Sequence, residues 1–151
     1  MKLKQILIPT KVAHSGMTVR EVFAECCRVH IPALPMCTKS GRIKGRVTLK
    51  NIMKCSCLPE YVVESAQILG EEMSCMEDIE ARAKQLLCVP VDPYVQEPAL
   101  FLSSDAPAIK ALAIMEQNDT SYLFVVDNGQ YQGAVTIQCL AKMLTRLDQQ
   151  C

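Results

Sequence analysis

Neither sign of charge is in excess: 16 basic residues balance 16 acidic ones. A general nucleic-acid binder carries a basic surplus or stripe, so nucleic acid is not an expected partner. Long apolar runs are also missing, and none approaches the roughly 20 residues that a membrane-spanning helix needs. Residues 2–9 are basic at the start, but their apolar part is too short for a secretory signal. No membrane partner is expected, and the expected location is the cytoplasm. Histidine is scarce, with only His14 and His30, and the nine cysteines include no Cys-x-x-Cys pair. A zinc or redox site is therefore not expected. Cys26, Cys27, Cys88 and Cys139 fall at apolar-face positions of helical patterns, where a free cysteine acts as a small hydrophobe. Also absent are a Ser/His/Asp set, paired carboxylates at a helix start and a glycine-rich phosphate loop, so catalysis is not expected.

What is present is a packed-core composition, half of it apolar, and a pattern that occurs twice. Gly45-Arg46-Val47-Thr48 and Gly133-Ala134-Val135-Thr136 lie 88 residues apart. Each follows a hairpin signal and opens a helical pattern, which predicts two copies of one small α/β unit.

In the first copy, Ile6-Leu7-Ile8 reads as a short strand stopped by Pro9. Thr18 and Glu21 form a capping box. Val19, Val22, Phe23, Cys26 and Cys27 then follow at helical spacing. Leu34 to Cys37 reads as a strand, Gly41 as the turn and Ile43 to Val47 as the returning strand, with a helix after Thr48. In the second copy, Leu100 to Leu102 is the short strand, and Asp105 is expected to cap a helix with Pro107 in its first turn. That helix should bury Ala108, Ala111, Leu112 and Met115. Leu123 to Val126, then Asn128-Gly129, then Tyr131 to Val135 make a hairpin. Ile137, Leu140, Ala141 and Leu144 form the stripe of a last helix. Each unit is thus strand, helix, strand, strand, helix.

The stretch between the copies predicts two helices. Val62, Ala66 and Leu69 mark one that Gly70 can end. Met76, Ile79, Ala83, Leu86 and Leu87 mark another, opened by the capping box Ser74 to Glu77. Its acidic residues read as a solvated face. Pro90, Pro93 and Pro98 predict an extended return. The expected organisation is unit one over 1–54, a helical connecting segment over 55–98 and unit two over 99–151.

Residues 34–52 and 123–136 resemble the C-terminal half of a CBS domain: an apolar strand, a glycine turn, then Gly-x-Val-Thr opening a helix. The resemblance implies a tandem pair, or Bateman module, of the α/β (α+β) class: two β-α-β-β-α units packed pseudo-symmetrically, with a helical insertion between them. It also implies a stand-alone regulatory role. The expected ligand is AMP, ADP, ATP or S-adenosylmethionine, held in a cleft between the units. The output would pass through a homodimer or an unidentified protein target.

Thr48 and Thr136 hold the positions that contact phosphate or ribose in such modules. Arg46, Lys50 and Lys11 are the basic residues placed to meet phosphates. The motif's closing aspartate is replaced by Asn51 in unit one and Cys139 in unit two. An asparagine keeps one carbonyl acceptor, whereas a thiol is a weak donor and acceptor, so unit one is expected to hold the better site. The alternative is a ligand-free interaction module with degenerate nucleotide sites.

Overall fold

The computed structural model describes residues 1–58, 60–68 and 76–148. Helix α1 (Val19–Val29) starts at the Thr18 capping box: Thr18 Oγ1 accepts from the Glu21 N–H at 3.3 Å, and Glu21 Oε2 accepts from the Thr18 N–H at 2.9 Å. It ends at His30, whose left-handed conformation (φ 57°) turns the chain into β1 (Ala33–Cys37). Strand β2 (Ile43–Thr48) returns antiparallel and runs directly into α2 (Leu49–Cys57). Short α3 (Glu60–Glu64) and longer α4 (Met76–Leu86) belong to the connecting segment. Unit two has β3 (Phe101–Leu102), α5 (Ala108–Gln117), β4 (Tyr122–Asp127), β5 (Gln130–Thr136) and α6 (Ile137–Asp148). Its hairpin turns at Asn128 (φ 51°) and Gly129 (φ 75°), the paired positive φ that an Asn-Gly turn supplies at little cost.

The two leading segments cross over. Residues 1–8 precede the elements of unit one, yet they pack on unit two. The Leu3 N–H donates to Ala106 O at 3.0 Å, and Ile8 exchanges two hydrogen bonds with Ala134. The segment before unit two does the same on unit one: Val91 donates to Met17 O at 2.8 Å, and Gln96 exchanges two hydrogen bonds with Arg46. Leu3 and Val91 are both completely buried, each in the core of the unit it visits.

This crossing explains the two glycines of the repeat. A Cβ on Gly45 would lie 2.6 Å from Gln96 O, and one on Gly133 would lie 2.6 Å from Ile8 O. The motif needs glycine because another backbone passes over it.

Each unit has its own core, and a third cluster joins them. Val29, Ile31 and Ala33 of unit one meet Phe124 and Ala134 of unit two, all nearly or completely buried. Fully burying side chains such as Val, Ile and Phe is worth about 1.5–3 kcal/mol each, so this layer fixes one unit against the other.

Several sequence expectations are corrected. Ile6-Leu7-Ile8 is not a regular strand: the chain makes a 3-10 turn over Leu3–Gln5, and only Ile8 joins a ladder. Asp105 does not cap α5. The cap position is Pro107, and the Asp105 carboxylate instead meets Lys4 Nζ at 3.1 Å and Lys2 Nζ at 3.4 Å. Leu112, Ile137, Ala141 and Leu144 are exposed; Met115 and Leu140 face inward as expected, and α6 adds Met143 to the buried side. Cys27 and Cys88 are exposed, Cys139 is half-buried and Cys26 is buried.

The first connecting helix is short and gives way to turns over 65–68, with Val62 buried and Ala66 exposed. Leu69, Gly70 and the Ser74 cap lie outside the described residues. The proline-rich return is not extended throughout but holds a 3-10 turn at Asp92–Tyr94. No described helix is long and apolar enough to cross a membrane.

Candidate functional site

The start of α2 faces unit two across a cleft of about 450 Å³. Ligand pockets run from about 300 to 1,000 Å³, so the cleft is large enough for a nucleoside-sized molecule. Unit one contributes Arg46, Thr48 and Lys50; the other wall is Pro98, Leu100 and the corner from Asn118 to Tyr122.

Thr48 is placed by being the last residue of β2 and the cap of α2. Its Oγ1 accepts from the Asn51 N–H at 3.0 Å, and its own hydroxyl proton remains available. The Leu49 N–H is taken by Pro32 O at 3.0 Å. The helix start adds its positive dipole end, and Lys50 adds a charge, so the arrangement favours an anion.

The Arg46 guanidinium donates to Pro98 O, which holds it along the cleft wall. Tyr122 lies beside it. Burial raises the Tyr122 phenol above its ordinary value of 10, and the neighbouring Arg46 acts in the opposite direction. Asp119, at the corner of unit two, sits in the left-handed region at φ 49° and brings a carboxylate to the same cleft.

Not every residue expected at this site is gathered there. Asn51 lies in the first turn of α2, but its amide is engaged away from the cleft. Its Nδ2 donates to Tyr94 O at 3.2 Å, and its Oδ1 accepts from the Cys55 thiol at 3.6 Å. Ser56 adds a hydrogen bond to the Tyr94 hydroxyl at 2.9 Å. Asn51 thus staples the return segment to α2. Asn51→Asp is expected to set a carboxylate against the Tyr94 carbonyl and cost about 1–3 kcal/mol. Urea denaturation checks this, and an unchanged midpoint counts against the staple.

In unit two, Thr136 is only 3% exposed, and its Oγ1 is closed by Cys139, whose N–H lies at 3.3 Å and Sγ at 3.2 Å. Cys139 itself borders a small hollow of about 170 Å³ beside Ile8 and Arg146. The two helix starts are therefore unequal: one opens on a cleft and the other is sealed.

Lys11 lies in a different place, in a cleft of about 940 Å³ walled by α1, the turn after β1 and the start of β5. There Glu25, only 4% exposed, accepts from Arg28 Nε at 2.6 Å, Arg28 Nη2 at 2.9 Å and the Lys11 N–H at 2.6 Å. The Arg28 guanidinium holds the Glu25 carboxyl below its ordinary value, helped by the Lys11 N–H and opposed by burial. Sequence reading missed Glu25. The signal was its place between Val22 and Val29, where the apolar stripe of α1 calls for a hydrophobe. It also missed the corner from Asn118 to Tyr122, which reaches the cleft only through the packing of the two units.

These features define a class: a duplicated α/β module whose units are locked face to face and enclose a cleft at one helix start. Residues 91–146 match the family model of the CBS domain, and the chain as a whole has the fold of a tandem CBS domain pair. No curated protein matches the chain in sequence.

Among solved structures, the CBS domain of a CBS domain containing membrane protein from Sphaerobacter thermophilus is 17% identical, with a TM-score of 0.67 over 94% of this chain and 86% of that one. A putative acetoin utilization protein (AcuB) from Vibrio cholerae is 11% identical, with a TM-score of 0.68 over 99% of this chain and 93% of that one. The CBS domain pair of protein MJ0100, in complex with 5′-methylthioadenosine and S-adenosyl-L-methionine, is 17% identical, with a TM-score of 0.65 over 96% of each chain. At these identities the likeness is one of fold.

Proposed function

We propose that this protein is a regulatory module that binds an adenine nucleotide or a related adenosyl ligand in the cleft at the start of α2. The observation that carries this reading is the setting of Thr48. It caps a helix whose first turn, with Lys50 and the neighbouring Arg46, faces unit two across a cleft of about 450 Å³. The adenosyl ligands of the MJ0100 pair support the ligand class. The protein acts by binding rather than by catalysis, and its signal passes to a second copy or a protein partner. Ile109 on α5 and Leu144 on α6, 71% and 58% exposed, are apolar surface that a homodimer would cover. Light scattering at micromolar concentration tests that assembly.

The ligand claim is tested by calorimetry with AMP, ATP and S-adenosylmethionine. Thr48→Val keeps the shape and removes the hydroxyl. It should weaken whichever ligand binds by about tenfold, the effect of one lost hydrogen bond. Thr136→Val should leave that affinity unchanged, because Thr136 is sealed. Equal losses from both substitutions would remove the assignment.

A second reading is an interaction module that has lost its ligand. The engagement of the Asn51 amide by Tyr94 favours it. A purified protein that ignores all three compounds at millimolar concentration selects this second reading.

A further inference from the structure

We propose that the larger cleft of unit one is a second binding site, for a small molecule carrying a phosphate or diphosphate group. Its cations come from three separate parts of the chain: Lys11 from the segment leading to α1, Arg28 from α1 and Lys39 from the turn after β1. Arg28 is not a free surface side chain. Two of its N–H groups are forked onto the Glu25 carboxylate, which is 4% exposed, and three of its five remain for a ligand. The same carboxylate accepts the main-chain N–H of Lys11, so a single buried acid fixes the guanidinium and the backbone that carries the lysine. Glu21 also borders the cleft, but its carboxylate is folded back onto the N–H and hydroxyl of Thr18 at 2.9 and 3.3 Å. Tyr131 and Thr10, joined through their hydroxyls at 2.6 Å, add polar groups to the wall.

The internal repeat supplies a comparison within the chain. Val22 and Cys26 of α1 correspond to the buried Ala111 and Met115 of α5, which sets Ile114 where Glu25 stands and Gln117 where Arg28 stands. The matching hollow of unit two, about 1090 Å³, has Arg42 and Lys110 on its wall but no buried acid to fix either. A carboxylate buried on an apolar helix face is costly unless it is paired. In unit one alone that cost goes with a fixed guanidinium facing a ligand-sized space.

The probe is inorganic pyrophosphate, which has no nucleoside to bring it to the other cleft. Calorimetry on the whole chain should show binding that weakens with added salt. Lys11→Ala and Lys39→Ala should each reduce affinity by about tenfold, the size of one charge-assisted contact. The Lys11 main-chain bond to Glu25 survives its substitution, and both lysines are exposed, so the fold is retained. Lys50→Ala, in the smaller cleft, should leave pyrophosphate binding unchanged. The proposal is overturned if the wild-type protein does not bind pyrophosphate at millimolar concentration. It is also overturned if the Lys11/Lys39 double variant binds as the wild type does, or if Lys50→Ala is the substitution that removes binding.

Discussion

Gly133→Ala is expected to lower the thermal midpoint by about 10 °C, from a loss of about 3 kcal/mol in a chain of this size. The added Cβ would lie 2.6 Å from Ile8 O and 2.8 Å from Leu7 Cδ1. Neither backbone can yield easily: Ile8 and Ala134 hold each other through hydrogen bonds of 2.8 and 2.9 Å. Relief requires that the leading segment lift away from unit two, which also draws on the buried Leu3. Gly45→Ala should behave alike, because its Cβ would meet Gln96 O at 2.6 Å and Val95 Cγ1 at 2.9 Å. Differential scanning calorimetry measures both. A Gly133→Ala midpoint within about 2 °C of the wild type would mean that the leading segment is not docked as described.

Arg28→Ala is expected to lower stability at neutral pH, because it strands a buried carboxylate. It leaves the buried Glu25 carboxylate with the Lys11 N–H as its remaining hydrogen bond among the described residues. The loss stays below that for a fully buried pair, because the Arg28 side chain is 63% exposed. The pH dependence has a definite sign. The native Glu25 carboxyl titrates below its ordinary value of 4.5, so its pairing stabilises the fold above that pH and is lost as pH falls through the lower, native value. The gap between wild type and Arg28→Ala should therefore be full at neutral pH and close under acid. Adding Glu25→Gln to Arg28→Ala should recover part of the loss by removing the stranded charge. Chemical denaturation across a pH series reads all three, and a gap that widens in acid would contradict the pairing.

Much of the fold was legible because its signals are local. The Thr18–Glu21 box, the Asn128-Gly129 turn and the two Gly-x-Val-Thr segments each act within a few residues of sequence, and each is found where local chemistry puts it. What was misread depends on distant partners. Helical spacing marks an apolar stripe but does not say which edge of it meets the sheet, so the pattern points Leu112 and Leu144 inward and passes over Met143. Asp105 had a good cap's chemistry, but Lys2 and Lys4 reach it across the crossing of the chain. At the site, Thr48 and Lys50 were readable because they lie next to the motif. The sequence groups Lys11 with them, but the path of residues 8–13 puts it in the other cleft. Asn51 carries the right residue type for a ribose, but the partner of its amide comes from 43 positions further on.

The exchange of leading segments also bears on how the chain is made. Residues 1–8 are synthesised well before the strand and helices they cover. Unit one, in turn, awaits Val91 and Gln96 before its sheet edge is closed. Neither half can therefore be finished as an independent body during translation, unlike the usual domain-by-domain order. Leu3 stays exposed until the unit-two core that buries it has been made. A fragment cut between the repeats would leave each half with the segment that covers the other.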